Sequence, residues 1–425
     1  MLDLLPKELI IETLNLLPSQ SLIALTETCK LFNEIVSENS HLTENLELHF
    51  VPENKILTWT GYRKYSRVYL EGTAAKYYRE IFMDISDNLK ELQVICLNME
   101  AAILKEILIN CVNLKKLLVK DNKISYKNED FEEPLPQLSL HTLHYRNFTL
   151  QSTEIFKILK NCQVREMKIV GFSSTCETLR KFIKAQTDMQ SFALHDADKN
   201  SSIFSNDVLS SLDFKLTKLT LDKYSDDCDG LENFLQNHRS SLQQVELNEV
   251  KQDVLKLLQN FPFIRKLKIF EMFFRKEFPT LMNNIKELTI GYDVTGSWAV
   301  NFSNLRFLRI TWIRFKKDLI QIEELKKLDR LEIEFCCVPE FSIPSVRTLR
   351  LSDVGFSGKR PFQLENNHIE DLTIEHCSHA EWLIEYLKFH SNSLKILRIK
   401  ETDLSVDCQK VVNCSRNKFI VQIFN

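Results

Sequence analysis

The sequence predicts an α/β solenoid, an arc of repeats with a parallel concave sheet, preceded by a small all-α module. Three observations predict it. One apolar frame, L-x-x-L-x-L, recurs about fourteen times at a spacing of roughly 18 to 27 residues. Residues 1–40 do not fit that frame and carry apolar residues at helical spacing instead. Glycine is scarce, at 8 residues in 425, so folds that depend on glycine-rich phosphate loops are disfavoured from the start.

The N-terminal segment "PKELIIETLNLL" reads as a helix with Pro6 near its first position, where a missing N–H costs little. Leu9, Ile10, Ile11, Leu14, Leu16 and Leu17 spread over roughly 220° of its wheel, more than a helix buried on one face needs. This predicts a helix covered on two sides. Pro18 ends it, and Ser19 or Ser21 is placed to cap the next helix, which carries Leu22, Ile23, Leu25 and Cys29. "CKLFNEIVSEN" gives a third helix with Leu31, Phe32, Ile35 and Val36 on one face. A trio this small is marginal alone, so one apolar face must meet either the rest of the chain or another protein.

The predicted organisation is a three-helix module over 1–40, a connecting segment over 41–64 and a repeat array over 65–425. The connection, with "LELHF" and "WTGYRKYS", is apolar and aromatic enough to dock against the array. The frame runs from Leu89/Leu92/Val94 and Leu114/Leu117/Val119 to Ile369/Leu372/Ile374 and Leu394/Leu397/Ile399. A weaker copy stands at Tyr65/Val68/Leu70, and "FIVQIF" ends the series as a half-copy. The last two apolar positions of each copy alternate along a strand, so they share one side. A lone copy cannot bury that side; stacked copies bury a continuous core. Between frames, 153–162 (Ile155, Phe156, Leu159, Cys162) and 253–261 (Val254, Leu257, Leu258, Phe261) read as helices on the convex side. Shorter spacings, such as Leu328 to Val346, leave room only for a turn or a 3₁₀ segment. On this frame, residues from 65 onward resemble a leucine-rich-repeat solenoid.

Composition narrows the function. The formal net charge of −3 lacks the basic excess of a nucleic-acid or membrane-surface binder. No apolar run approaches the ~20 residues that span a bilayer, and the acidic N-terminus predicts no secretory leader. The 11 cysteines show no regular framework, which predicts reduced thiols inside a cell, in cytoplasm or nucleus. Cys336 and Cys377 fall at the turn position after their strands, where a small polar group satisfies backbone groups. A metal site in "HCSHAEW" is the competing reading, disfavoured because Cys377 points to the core. Gly355 and Gly358 lack P-loop spacing, the 10 histidines are scattered, and no catalytic motif appears. Neither cofactor nor metal is expected.

The first helices carry a second resemblance. "LPKELIIETLNLLPSQSLIALTETCKLFNEI" is similar to an F-box, through Leu5-Pro6-x-Glu8-Leu9-Ile10, Leu17, Leu22-Ile23, Leu25 and Cys29-x-x-Phe32. Thr13 and Thr28 stand where aliphatics are common, Ser21 where Asp is, and Phe32 where Trp is. The resemblance implies a non-enzymatic substrate adaptor of an SCF-type ubiquitin ligase. The F-box would dock on a Skp-family adaptor and through it a cullin, and the repeats would hold a protein substrate. Carried over by position, Leu5, Pro6, Leu9, Ile10, Leu14, Leu17, Leu22, Ile23 and Leu25 are the adaptor-binding candidates, some of which must hold the module together. The alternative is a leucine-rich-repeat scaffold or inhibitor whose helices only cap the array. A hydrolase built on the array is a further rival.

Stacking predicts where substrate would sit. Lys268, Thr289, Arg309, Glu332, Arg350, Thr373 and Arg398 form one column of the concave face, with Phe307 and Arg330 in the column before it. Tyr292, Trp312 and Phe335 form an aromatic row two residues past the last core position. The candidate substrate residues are therefore Tyr292, Arg309, Trp312, Arg330, Phe335 and Arg350, with the arginines suited to acidic or phosphorylated side chains. The competing reading folds these aromatics over the strand ends as packing between repeats.

Overall fold

The computed structural model describes residues 5–44, 46–50, 65–71, 82, 85–125, 138–147, 155–172, 177–197, 212, 214–222, 229–250, 252–272, 282–291, 301–311, 322–338, 341–356, 362–363, 368–378, 380–389, 391–402, 404–415 and 418–424. The chain divides into two compact units. Unit 1 is Met1–Leu216 with Tyr224–Phe234, and unit 2 is Thr217–Lys223 with Leu235–Asn425.

Unit 1 begins with α1 (Lys7–Asn15), α2 (Ser19–Thr28), α3 (Lys30–Glu38) and α4 (Ser40–Glu44). Pro6 and Pro18 are the N-caps of α1 and α2, and neither helix receives a side-chain cap. The serines expected to cap α2 do not: Ser19 is its first helical residue, and the Pro18 carbonyl accepts from the Ser21 and Leu22 N–H groups instead. α4 runs directly into β1 (Glu47–Phe50), which lies within the expected 41–64 connection. Leu42, Leu46, Leu48 and Phe50 are buried along this passage, and Ser66 Oγ donates to the Thr43 carbonyl at 3.4 Å. The apolar alternation of "LELHF" is therefore a strand pattern, and the ladder starts earlier than the L-x-x-L-x-L frame does.

Behind β1 come β2 (Arg67–Glu71), β3 (Glu91–Glu100), β4 (Lys116–Ser125), β5 (Ser139–Asn147), β6 (Gln163–Phe172) and β7 (Ser191–Ala197). Each pairs in parallel with the next. Parallel neighbours need a crossover, and helices at Ala101–Asn110, Ile155–Ile158 and Glu177–Lys184 supply it. The expected apolar residues Ile155, Phe156, Leu159 and Cys162 are all buried, and the Phe156 ring meets Tyr145 edge-on at 5.1 Å and Phe182 at a tilt at 5.2 Å. Gln186, fully buried, accepts from the Val164 N–H and donates to the Cys162 and Phe182 carbonyls, so this polar side chain stitches helix to strand without an unpaired group.

Unit 2 continues the same rule with β8 (Lys218–Leu221), β9 (Gln244–Val250), β10 (Lys266–Met272), β11 (Glu287–Gly291), β12 (Phe307–Thr311) and β13 (Arg330–Glu334). Short β14 (Cys337–Val338) and β15 (Phe341–Ser342) follow, then β16 (Thr348–Ser352), β17 (Gly355–Phe356), β18 (Phe362–Gln363), β19 (Asp371–Glu375), β20 (Ile396–Lys400) and β21 (Ile420–Phe424). The half-copy at the end is thus β21, paired to β20. In the helix Gln252–Leu258 the core residue is Leu255 rather than Leu257, beside Val254, Leu258 and Phe261. Where spacing is short, two-residue strands pair in parallel, β14 with β17 and β15 with β18. Extended backbone advances about 3.3 Å per residue against about 1.5 Å in a helix, so strands bridge the short spacing where a turn or a 3₁₀ segment is expected from the sequence.

Every frame position named from the sequence, from Tyr65/Val68/Leu70 to Leu394/Leu397/Ile399, is buried. Successive repeats are also tied at the strand entry. The N–H groups of Arg265, Lys286, Arg306, Asp329 and Arg347 each donate to the entry carbonyl of the preceding repeat. Each strand's other residues alternate onto the face opposite the core, called here the open face.

Candidate functional site

Two surfaces concentrate the candidates: the helical module and the open faces of the two units.

In the module, α2 packs on α3, and α1 packs on α3 and α4. Ile10, Leu14 and Leu22 are buried with Ile35 and Val36, so these three candidates hold the helices together and lie beneath the surface. Leu17, Ile23 and Leu25 are half-buried. Leu5 and Leu9 are 41% and 48% exposed, Pro6 beside them is exposed, and Leu16 is 85% exposed. At about 100° per residue, Leu9 and the C-cap Leu16 fall within about 20° of each other on α1, and Leu5 lies just before the Pro6 cap. Leu31 on α3 is exposed as well. Leu16 and Leu31 are additions to the candidates; periodicity alone could not separate them from core positions. A salt bridge from Lys7 to Glu38, 2.8 Å long and exposed, fastens α1 to α3.

On the open face of unit 2 the register brings together the residues expected to stack. Lys268, Thr289, Arg309, Glu332, Arg350, Thr373 and Arg398 are successive cross-strand partners. Their charges are already engaged. Arg309 donates to Glu334 Oε2 from Nε (3.1 Å) and Nη2 (2.5 Å), and lies 3.8 Å from Glu332. Arg330 donates to Glu332 and sits over the Phe307 ring at 5.3 Å. Arg350 Nη2 and Lys400 Nζ both donate to Glu375, at 3.0 and 2.6 Å. Arg398 grips Asp371, and Lys268 meets Glu246 at 3.1 Å. The Lys400 hydrogen bond, helped by Arg350, holds the Glu375 carboxyl below its ordinary range against the opposing effect of burial. Glu332 and Glu334 are buried side chains, so these pairs neutralise carboxylates that would be costly alone.

The aromatic row falls partly outside the described residues: Tyr292 and Trp312 lie there. Phe335 is 44% exposed and takes a left-handed backbone, φ 52°. Asp353, His376 and Glu401 share that conformation at the same place in later repeats. In each, the N–H donates across to the next strand's end: Phe335 to Ser352, Asp353 to Glu375, His376 to Lys400, Glu401 to Phe424. The conformation costs roughly 1–2 kcal/mol for a residue with Cβ, which one inter-repeat hydrogen bond offsets only in part.

The turn cysteines behave as their position implies. Cys336 Sγ donates to the Glu334 carbonyl at 3.0 Å, and Cys377 Sγ to those of Glu375 and Leu351 at 3.3 and 3.6 Å. Thr402 takes the same place in the next repeat, bonding Lys400 and Ile374. Burial pushes the Cys377 thiol up to about 11, and the Cys111 and Cys162 thiols up to about 12. Cys29, Cys111, Cys162, Cys336, Cys377, Cys408 and Cys414 are free thiols. Among the described residues no group of His, Cys, Asp and Glu is placed to hold a metal, and no helix is long and apolar enough to cross a membrane.

On the open face of unit 1, Leu118, His144, Lys168 and Ala193 are successive partners, and beside them run Lys120 with Arg146 and Val170 with His195. Burial lowers the His144 pKa, and Lys168, His195, Lys120 and Arg146 lower it further. Lys116 and Arg67 both reach Glu91, at 3.6 and 3.8 Å, in the column before.

The F-box domain family matches residues 2–42, which cover α1 to α3 and the start of α4. No curated protein matches the chain in sequence. Among solved structures, the chain is similar to an internalin from Listeria monocytogenes, at 12% identity and TM-score 0.34, over 83% of this chain and 89% of that one. It is also similar to a leucine-rich-repeat protein of Leptospira interrogans, at 15% identity and TM-score 0.30, over 89% of this chain and 95% of that one.

Proposed function

We propose that an N-terminal F-box joined to leucine-rich repeats makes this chain the substrate receptor of an SCF-type ubiquitin ligase. The F-box docks on a Skp-family adaptor, which links it to a cullin, and the repeats hold a protein substrate. F-box domains in general bind such adaptors. The chain itself does no covalent chemistry. It raises the concentration of substrate near the ubiquitin-bearing partner.

One observation carries this reading. The frame positions of the array are buried, yet Leu5, Leu9, Leu16 and Leu31 of the helical module stay open to solvent. A module that only capped the array would turn its leucines inward, as Leu42 and Leu46 do where α4 enters β1. Leu9 and Leu16, seven residues apart on α1 and its C-cap, have the spacing of anchors in helix-face docking. The direct passage from α4 into the ladder would hold the two parts at a fixed distance.

The test is binding of the purified full chain to a Skp-family adaptor. The pair Leu9→Asp and Leu16→Asp changes only exposed positions, so the fold should keep its melting temperature. Affinity should fall roughly hundredfold or more, about 3 kcal/mol for two anchors replaced by charges. Unchanged affinity in a folded double variant would leave only the scaffold reading.

A further inference from the structure

We propose that the open face of unit 1 over β4 to β7, centred on His144, receives an acidic or phosphorylated segment of the substrate protein. The inference rests on the reading of the repeats as the substrate-holding part, and gives that part a place and a chemistry.

Register does the first part of the work. His144 stands between Leu118 and Lys168, and one alternation further along, Lys120 pairs with Arg146. Strands lie about 4.8 Å apart, so Lys120 and Lys168, two strands apart, are on the order of 10 Å from each other. That is the span of three to four residues of an extended peptide. Within these two columns from β4 to β7 the charged and titratable residues are Lys120, His144, Arg146, Lys168 and His195, with no carboxylate. Glu91 and Glu166 sit in the column before, where Glu91 is engaged by Lys116 and Arg67, and Asp121 and Asp196 stand at the strand positions just after Lys120 and His195, outside these two columns.

The second part is a group left incomplete. His144 Nε2 is buried and has no hydrogen-bond partner. A buried polar atom without a partner is costly in a finished core. Among cations, an incoming oxyanion would supply it once the ring turns out from its covered position: the imidazole takes a proton and donates, while Lys120 and Lys168 close around the same charge. The lowered pKa agrees in direction: burial is its largest cause, and Lys168, His195, Lys120 and Arg146 lower it further. Half-buried Leu118 beside the ring, and half-buried Ala193 beyond Lys168 in the same column, offer methyl contacts to the peptide chain. A single-stranded nucleic acid would need stacking platforms along a longer cationic track. Apart from the two histidines, these columns hold no aromatic side chain.

The experiment uses the full chain and three labelled probes: a glutamate-rich peptide, the same peptide carrying phosphoserines, and a single-stranded RNA. Binding is read by fluorescence anisotropy. The pair Lys120→Glu and Lys168→Glu should weaken the tighter peptide at least about tenfold. The pair Lys157→Glu and Lys181→Glu, on the helices of the same unit, should change it less than about twofold. In a pH titration of the imidazole signals, saturation with peptide should raise the His144 pKa. Preference for the phosphopeptide assigns the oxyanion to phosphate, and equal binding assigns it to carboxylates. The proposal is overturned if neither peptide binds, if both lysine pairs weaken binding alike, or if RNA binds more tightly than either peptide. Adaptor binding is measured on the same variants. Its loss in the wild-type chain would count against the ligase reading and leave the anion site standing.

Discussion

In unit 2 the open-face arginines lie against carboxylates of the same face: Arg309 on Glu334, Arg330 on Glu332, Arg350 on Glu375, Arg398 on Asp371. In unit 1 the matching columns hold His144, Lys168, Lys120 and Arg146. The backbone is the same parallel ladder in both. What differs is that each named arginine of unit 2 meets a carboxylate of the same face, whereas the named columns of unit 1 hold cations and histidines and no carboxylate. A face whose charges are internally paired is held rigid, and a ligand must displace a partner to use it. A face whose columns carry cations and no carboxylate offers an anion donors without a carboxylate of the same columns to displace. A column of arginines in a sequence is therefore weak evidence of a binding site until its neighbours are known.

The largest effect that separates the two faces is on stability. Arg309→Ala leaves Glu334, whose side chain is only 7% exposed, without the cation bonded to it, while Glu332 keeps Arg330. Breaking such a pair costs about 3–5 kcal/mol when fully buried; with Arg309 itself 43% exposed, about 2 kcal/mol is expected. Lys168→Ala in unit 1 removes a like-charge neighbour of His144 and should lie within about 0.5 kcal/mol of wild type. Urea unfolding followed in both variants checks the contrast, and equal losses would erase it.

A smaller, pH-dependent difference sharpens the comparison. The folded His144 pKa is below the ordinary 6.5, so as pH falls through 6.5 the unfolded chain takes up the proton first and stability declines. The folded Glu375 pKa is below 4.5, so its contribution is intact above 4.5 and is lost as pH drops toward the folded value. Melting temperature against pH should therefore lose its slope just below pH 6.5 in His144→Gln. In Glu375→Gln it should instead flatten only below pH 4.5. An unchanged profile in both variants would contradict the assignments.

Much of this architecture was legible in the sequence because one period carries it. Leu117 and Val119 must share a side in any strand, and fourteen or so such copies leave few other folds. β1 was not legible as a strand, because Leu46, Leu48 and Phe50 alternate without the full frame and follow a helix directly. The short pairs β14–β17 and β15–β18 escaped because two-residue strands have no period. In the helical module, periodicity marked the apolar residues but not their sorting into Leu14, which is buried, and Leu16, which is open. That sorting depends on where α3 and α4 pack, a tertiary fact. The pairing of Arg309 with Glu334 was equally hidden, since it joins residues 25 apart in the chain. Tyr292 and Trp312 lie outside the described residues, so Phe335 alone represents the aromatic row.

Hydrogen–deuterium exchange of the full chain, with and without a saturating Skp-family adaptor, tests the central claim most directly. The account predicts new protection confined to the helical module, strongest around Leu9, Leu16 and Leu31, with exchange along β4 to β7 and β10 to β13 unchanged. Protection that spread across those open-face strands, or none at the module, would contradict it.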